Sequence, residues 1–438
     1  MTMGGVSTWL RKGVSGVALA TALFALSACG EEPAATDKLK TGPIPESKTE
    51  LTVWSFLPGN YEKGAEAYNA IAADFQKAHP QVTVTVIDMP YGTYFDQVRN
   101  AVVAQSGPDV ITMYGSAQAY SYKNGLYPLQ DAIDATLRPQ IKYLDENYSA
   151  DGNLYILPTG SYGYVMLVNR AMFAQAGIDP AAGLASWNAM LATCKALTEK
   201  GIQPMASGWK DGYLFETYLY MITSQMMDKA ALGKWVKGEL KLDDKLFTDA
   251  VNYIMDMKNA GCFGDDKALG RNMFDDTTVQ YASGGAAILV NGTMSSAMRL
   301  LGDQPETMAM ALPQVPASKH KNLVDAGAEA GWSVTKWTKS PEASAAFVNF
   351  IASKETQEKL WGIIGVPPNI TGFQAQAQND MQAAYMALLA NPENHTGFAA
   401  FPLPVLAVME RNAAPLMGGT MTVQQFMESA QAAFAKTN

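Results

Sequence analysis

Six short stretches hold most of the side chains suited to recognising a polyhydroxylated ligand: residues 54–60, 114–116, 160–162, 207–211, 291–293 and 328–332. They carry aromatic, amide and acidic groups and few cations. That mixture suits a sugar, whose C–H faces stack on indole or phenol rings while carboxylates and amides bond its hydroxyls. Trp209-Lys210-Asp211 sets a stacking face beside an acceptor, and Asn291-Gly292-Thr293 offers bare backbone ahead of a helical pattern. The candidate ligand contacts are Trp54, Asn60, Tyr114, Ser116, Tyr162, Trp209, Asp211, Asn291, Glu329 and Trp332. A tryptophan in an α/β chain is more often core than platform, so Trp54, Trp209 and Trp332 each carry a competing core reading. Trp187 and Trp361, on helical stripes, are read as core outright.

Signatures of covalent chemistry are missing. The chain has no G-x-x-x-x-G-K-[ST], G-x-S-x-G, H-E-x-x-H or EF-hand pattern. Asp265-Asp266 and Asp275-Asp276 resemble solvated turn acids more than a carboxylate pair or a cation site. Three histidines leave little for a metal centre, and neither a metal nor a cofactor is expected. The chain is therefore expected not to be an enzyme, although two carboxylates at the right separation suffice for a glycoside hydrolase and spacing in sequence does not reveal them. A formal charge of -9 without a Lys/Arg block argues against sequence-blind nucleic-acid binding.

The six stretches lie at the ends of strands in a strand–helix alternation. Residues 51–56, 82–86 and 110–113 read as strands, with helices between them carrying Tyr68, Ile71 and Phe75, then Tyr94, Phe95 and Val98. The rhythm returns with strands over 164–168, 202–205 and 286–290, a helix from the N-cap Ser186 to Lys200, and further helices around Phe215 and Phe247. A helix follows directly over 294–301, then a strand over 332–337 and a helix opened by Ser340-Pro341. Such βαβ units build parallel sheets covered on both faces, here in two α/β lobes. Ligands of such sheets bind outside the carboxyl ends of the strands.

The amino-terminal residues read as an address. Arg11 and Lys12 precede an uncharged stretch over 14–28, too short to span a bilayer comfortably, and Leu26-Ser27-Ala28-Cys29-Gly30 resembles a bacterial lipobox. That resemblance implies cleavage after residue 28 and a lipid on Cys29. Removing Arg11 and Lys12 lowers the formal charge by two, from -9 to -11. Residues 29–48 read as a flexible tether to the membrane. In an oxidising compartment Cys194 and Cys262 are either a disulfide pair or two buried thiols.

Four groups of motifs resemble extracellular solute-binding proteins of family 1, the sugar-binding group that includes maltose-binding protein. They are Phe75-Gln76-Lys77-Ala78-His79-Pro80 leading into Val82; Ser106-Gly107-Pro108-Asp109-Val110 with Gly125-Leu126-Tyr127-Pro128-Leu129; Leu154-Tyr155-Ile156-Leu157-Pro158 through Asn169-Arg170 to Trp187; and Gly284-Gly285-Ala286 with Ser340-Pro341-Glu342-Ala343. The resemblance implies a type II periplasmic-binding-protein fold, with strands crossing between lobes near Pro158, Asn291 and Lys336. The lobes would comprise residues 49–158 plus 291–335, and 159–290 plus 336–438. It implies contacts at residues 58–60, 114–116 and 291–294 and at Tyr162, Trp209 and Asp211. Tyr162 replaces a carboxylate found in maltose-binding protein, so maltose itself is not implied.

The expected function is capture of a mono- or oligosaccharide by hinge closure and delivery to an ABC permease, by a monomer lipid-anchored outside the cytoplasm. Trp209, Trp332 and Tyr162 would line the sugar, and Asp211, Glu329, Asn291 and Asn60 would bond its hydroxyls. The alternatives are an exported carbohydrate-active enzyme and a binding protein for a cation such as a polyamine.

Overall fold

The structure is a computed structural model that describes residues 38–436 apart from 237–238, 243–244, 265, 293–305, 374–376, 378 and 397–400. The signal segment, Cys29, the start of the tether, Asp265, the turn at 293–294 and the helix expected over 294–301 lie outside the described residues.

The first lobe opens with β1 (Thr49–Ser55), whose residues alternate between buried and less buried. Helix α1 (Gly64–Ala78) buries Tyr68, Ile71, Ala72 and Phe75 and gives way at His79-Pro80 to β2 (Val82–Asp88). Helix α2 (Tyr91–Ala104) ends at Gln105, whose φ of 47° turns the chain toward β3 (Val110–Met113). Strand β4 (Leu157–Gly163) completes the run into the hinge, and β5 (Val165–Asn169) already belongs to the second sheet.

In the second lobe, Ser186 caps α3 (Trp187–Glu199), its hydroxyl accepting from the Ala189 amide at 3.2 Å. Such a cap contributes about 1 kcal/mol. Helices α4 (Tyr213–Met226) and α5 (Lys245–Asn259) pack against each other, and β6 (Ile288–Asn291) and β7 (Thr307–Met310) flank β5 in a three-stranded antiparallel sheet. A disulfide joins Cys194 on α3 to Cys262 just beyond α5. The chain then returns through β8 (Ala326–Val334), antiparallel to both β3 and β4, so the first sheet runs β2-β1-β3-β8-β4. Helices α6 (Pro341–Ala352) and α7 (Lys354–Ile364) cover that sheet. Helix α8 (Asp380–Leu389) packs on β7, and α9 (Leu403–Met417) and α10 (Val423–Phe434) close the second core.

Several expected boundaries move. Phe347, Val348, Ile351, Leu360 and Ile370 share a core with Val53 and Phe75, so residues 341–370 belong to the first lobe. Leu312 and Val315 share the core of α4 and α5, so the segment between β6 and β8 belongs to the second. Asn291 pairs with Val165 inside the second sheet, and the Lys336 amide donates to the Gly125 carbonyl inside the first lobe. The chain crosses instead at Tyr164 and at Asp325, where the Tyr164 amide donates to the Asp325 carbonyl at 2.9 Å, and again between α7 and α8. The strand expected over 202–205 is reduced to one bridge, Met205 to Ile288. Nor is the tether free along its length: from Lys38 on it lies against the first lobe, with Leu39 buried and Lys38 paired to Asp131 at 3.4 Å.

Candidate functional site

Aromatic rings gather where β1 and β3 end and α2 begins. Phe56 is buried among Tyr91, Tyr94, Phe95 and Tyr114, at centroid distances of 5.4, 5.0, 5.9 and 4.9 Å. Tyr91 rises out of this bed, 42% exposed. Its phenol interacts with Tyr114 on its own lobe and with Tyr213, the first residue of α4, on the other. Tyr213 in turn lies 6.0 Å from the ring of Phe274, which is 36% exposed. Two aromatic walls thus meet across the interlobe cleft.

Carboxylates stand beside both walls. Glu329 on β8 accepts from the Tyr61 hydroxyl, and burial lifts its carboxyl to about 7 despite that bond. Asp211 caps the approach to α4, its two oxygens accepting from the Tyr213 amide at 3.3 Å and the Met273 amide at 3.0 Å. Burial raises it nonetheless, opposed by those amides. One turn into α4, Glu216 accepts from the Tyr220 hydroxyl at 3.1 Å, and burial followed by repulsion from Glu410 pushes it well above the carboxylate range. Glu410, on α9, is raised by burial and then by Asp211. Gly212 has a φ of +76°, and a Cβ there would lie 2.3 Å from the Glu410 Cα, so the loop and α9 touch only because this residue is glycine. The arrangement offers ring faces and hydroxyl-bonding carboxylates. Among the described residues no group of three His, Cys, Asp or Glu side chains is placed to hold a metal ion.

The profile of the bacterial extracellular solute-binding protein family matches residues 59–358. The chain belongs to this family. The arabinooligosaccharide-binding protein of Halalkalibacterium halodurans is 23% identical over 334 residues, 74% of this chain and 72% of its own length. The galactooligosaccharide-binding protein of Bacillus subtilis is 28% identical over 155 residues, which are 35% of this chain and 34% of that one. A solved chitin oligosaccharide binding protein shares the fold with a TM-score of 0.74 at 21% identity, covering 90% of this chain and 99% of its own. The fold is the two-lobed type II fold of solute-binding proteins, and the family is one of extracellular proteins.

In this solute-binding protein the residues marked from sequence divide sharply. Tyr114, Asp211 and Glu329 stand beside the aromatic walls of the cleft. Asn60 is exposed at its rim, ending the short helix Leu57–Asn60 beside Tyr61, and Ser116 opens the helix Ser116–Ser121 beyond Tyr114. The tryptophans depart from their expected role as stacking platforms. Trp332 is 1% exposed inside the first core, its Nε1 donating to the Thr159 hydroxyl at 3.0 Å. Trp209 is 2% exposed, edge-on to Phe263 at 4.9 Å. Neither indole offers a face to a ligand. Trp54 leans toward Gly107, in the loop that enters β3, away from the cleft. Tyr162 is committed to the hinge, donating to Asp325 at 3.5 Å and bonded to Thr396. Asn291 is buried in the second sheet, next to Gly292, where a Cβ would collide with the Tyr164 ring at 2.3 Å.

Sequence reasoning missed Tyr61, Tyr91, Tyr213, Glu216, Phe274 and Glu410. Tyr91 had an available signal: it follows the end of β2, a strand end as eligible as the six that were followed. Glu410 sits in a late helix, and no pattern along the chain ties it to Asp211.

Proposed function

We propose that this protein is the substrate-binding component of an ABC importer, and that it captures a saccharide between its lobes. The supporting observation is the pairing of aromatic walls across the cleft, Tyr91 with Tyr114 from one lobe and Tyr213 with Phe274 from the other, flanked by Glu329 and Asp211. Rings supply stacking faces and the carboxylates accept from hydroxyls, which is what a sugar needs and a covalent reaction does not. The relatives named for arabino-, galacto- and chitin oligosaccharides support an oligosaccharide. A ligand touching both walls binds the closed arrangement better than the open one, and that differential affinity drives closure. Cys29 would carry the lipid that holds the protein at the membrane, near its permease.

The test is a thermal-shift screen of the mature protein against a panel of mono- and oligosaccharides, followed by calorimetry on each ligand that shifts the melt. A binder should lose at least tenfold in affinity on Tyr213→Ala, and the bound sugar should be recovered unhydrolysed. If no saccharide stabilises the fold, the reading fails. Labelling with a radioactive fatty acid should mark the wild type and not Cys29→Ser.

A further inference from the structure

We infer that the ligand bears a protonated amine, as an amino sugar or aminocyclitol unit, held on the second-lobe wall by Asp211, Glu216 and Glu410. This rests on the saccharide reading and names its ligand class. The contact of Gly212 with the Glu410 backbone locks α9 against the loop that carries Asp211. Glu216 stands three residues into α4 from Tyr213 and so shares its face of the helix. Its side chain is 3% exposed; one oxygen accepts from Tyr220, and the other, Oε1, has no hydrogen-bond partner among the described residues. A buried carboxylate oxygen left without a donor is costly and marks a place where a donor belongs.

The character of that donor follows from the charge balance. Glu216 and Glu410 are each raised by burial and by neighbouring carboxylates, with no lysine or arginine acting on either, and Asp211 is raised by burial and Asp276 against the amides of Met273 and Tyr213. A sugar hydroxyl would satisfy one oxygen and leave Glu216, raised well above the carboxylate range, holding its proton. An ammonium group supplies three donors and a positive charge at once. The faces of Tyr213, Tyr91 and Phe274 beside it add cation–π attraction, which neutral sugars do not draw on. Ring faces alone fit any saccharide; rings around an uncompensated carboxylate cluster fit an aminated one.

Calorimetry on the mature protein distinguishes these cases. The probes are glucose, glucosamine and N-acetylglucosamine, the β-1,4 disaccharides of each, and the matched galactose series, with spermidine as a cation lacking a sugar ring. The expected result is that an aminated member binds at least tenfold more tightly than its hydroxyl and acetamido counterparts. That advantage should shrink severalfold in 1 M NaCl and fall to within threefold in Glu216→Gln and Glu410→Gln. Both substitutions keep side-chain volume, and circular dichroism verifies folding; should the more buried Glu216→Gln not fold, Glu410→Gln carries the test. A neutral sugar that binds as tightly as its amine counterpart overturns this inference and leaves the saccharide reading standing. Binding of spermidine without any sugar, or of nothing in the panel, overturns both.

Discussion

Glu329→Gln should make the protein more stable at alkaline pH and leave it unchanged in acid. Burial lifts the Glu329 carboxyl from 4.5 to about 7, with the Tyr61 hydroxyl pulling the other way. Between those two values the folded protein keeps a proton that the unfolded chain has released. Stability contributed by this group is therefore complete below pH 4.5, declines through the window at about 1.4 kcal/mol per unit, and is flat above 7. The accumulated loss is about 3 kcal/mol. Glutamine cannot ionise, and its amide oxygen still accepts from Tyr61, so the variant escapes the loss while keeping the bond. Urea unfolding followed by tryptophan fluorescence at pH 4, 5.5, 7 and 8.5 measures the difference; Trp332, buried in the same lobe, reports on the relevant core. The gap between variant and wild type should open from near zero at pH 4 to its plateau by pH 7.5. A gap that does not change with pH would refute the assignment of Glu329 as a buried, proton-holding carboxyl. Contributions from other titrating groups are common to both proteins and cancel.

Trp209→Ala should destabilise the second lobe by about 3–5 kcal/mol, because it empties a fully packed core site, and chemical denaturation should show it before any ligand is added. Lys229→Met strips the cation from Glu146, whose side chain is only 10% exposed and which Lys229 reaches at 3.3 Å. Burial already raises Glu146 against the opposing pull of Lys229, so the variant should lose about 1–2 kcal/mol at pH 8 and little at pH 4, where the carboxyl is neutral. The half-exposed lysine keeps that figure modest. Replacing Cys194 and Cys262 with serine opens a crosslink between residues 68 apart and should cost about 2–4 kcal/mol, read as an earlier unfolding transition of the second lobe under non-reducing conditions.

The regular elements were legible because their signals are local. Val82 and Val84 alternating with threonine made β2 readable, the 3.6-residue stripe of Tyr68, Ile71 and Phe75 made α1 readable, and Ser186 marked the start of α3 by its hydroxyl. Lobe membership was not legible in the same way. The stripe of Phe347 and Ile351 says that α6 is buried, while nothing in it says whether β1 or α4 is the partner. Crossing points depend on which strand pairs with which, and the register of β8 between β3 and β4 is a long-range fact.

The site illustrates a stricter use of period. Glu329 and Trp332 were both assigned to the ligand, yet they are an odd number of residues apart in one strand, so their side chains leave opposite faces. One of the two had to turn away from the cleft, and burial selected Trp332, against Tyr68 and α1. Parity alone was enough to reject the pair, though not to choose between them. The choice followed from chemistry: a carboxylate turned into the core would have needed a cation there, whereas at the cleft it needs only a hydroxyl or a ligand. The same asymmetry separates the buried Trp332 from the tyrosines of the aromatic walls. An indole has its one donor satisfied by Thr159 and loses nothing by complete burial, while Tyr61, Tyr91 and Tyr213 keep a hydroxyl that gains most where water or ligand is within reach. It also gives the cleft its energetic character. Asp211, Glu216 and Glu410 all stand on the second lobe, so their repulsion is the same open or closed, and a ligand that relieves it favours closure only through the contacts it also makes with the first-lobe wall. On the amine reading, the second lobe holds the ammonium group, and the rings of Tyr91 and Tyr114 on the first lobe supply the differential affinity that makes closure depend on ligand.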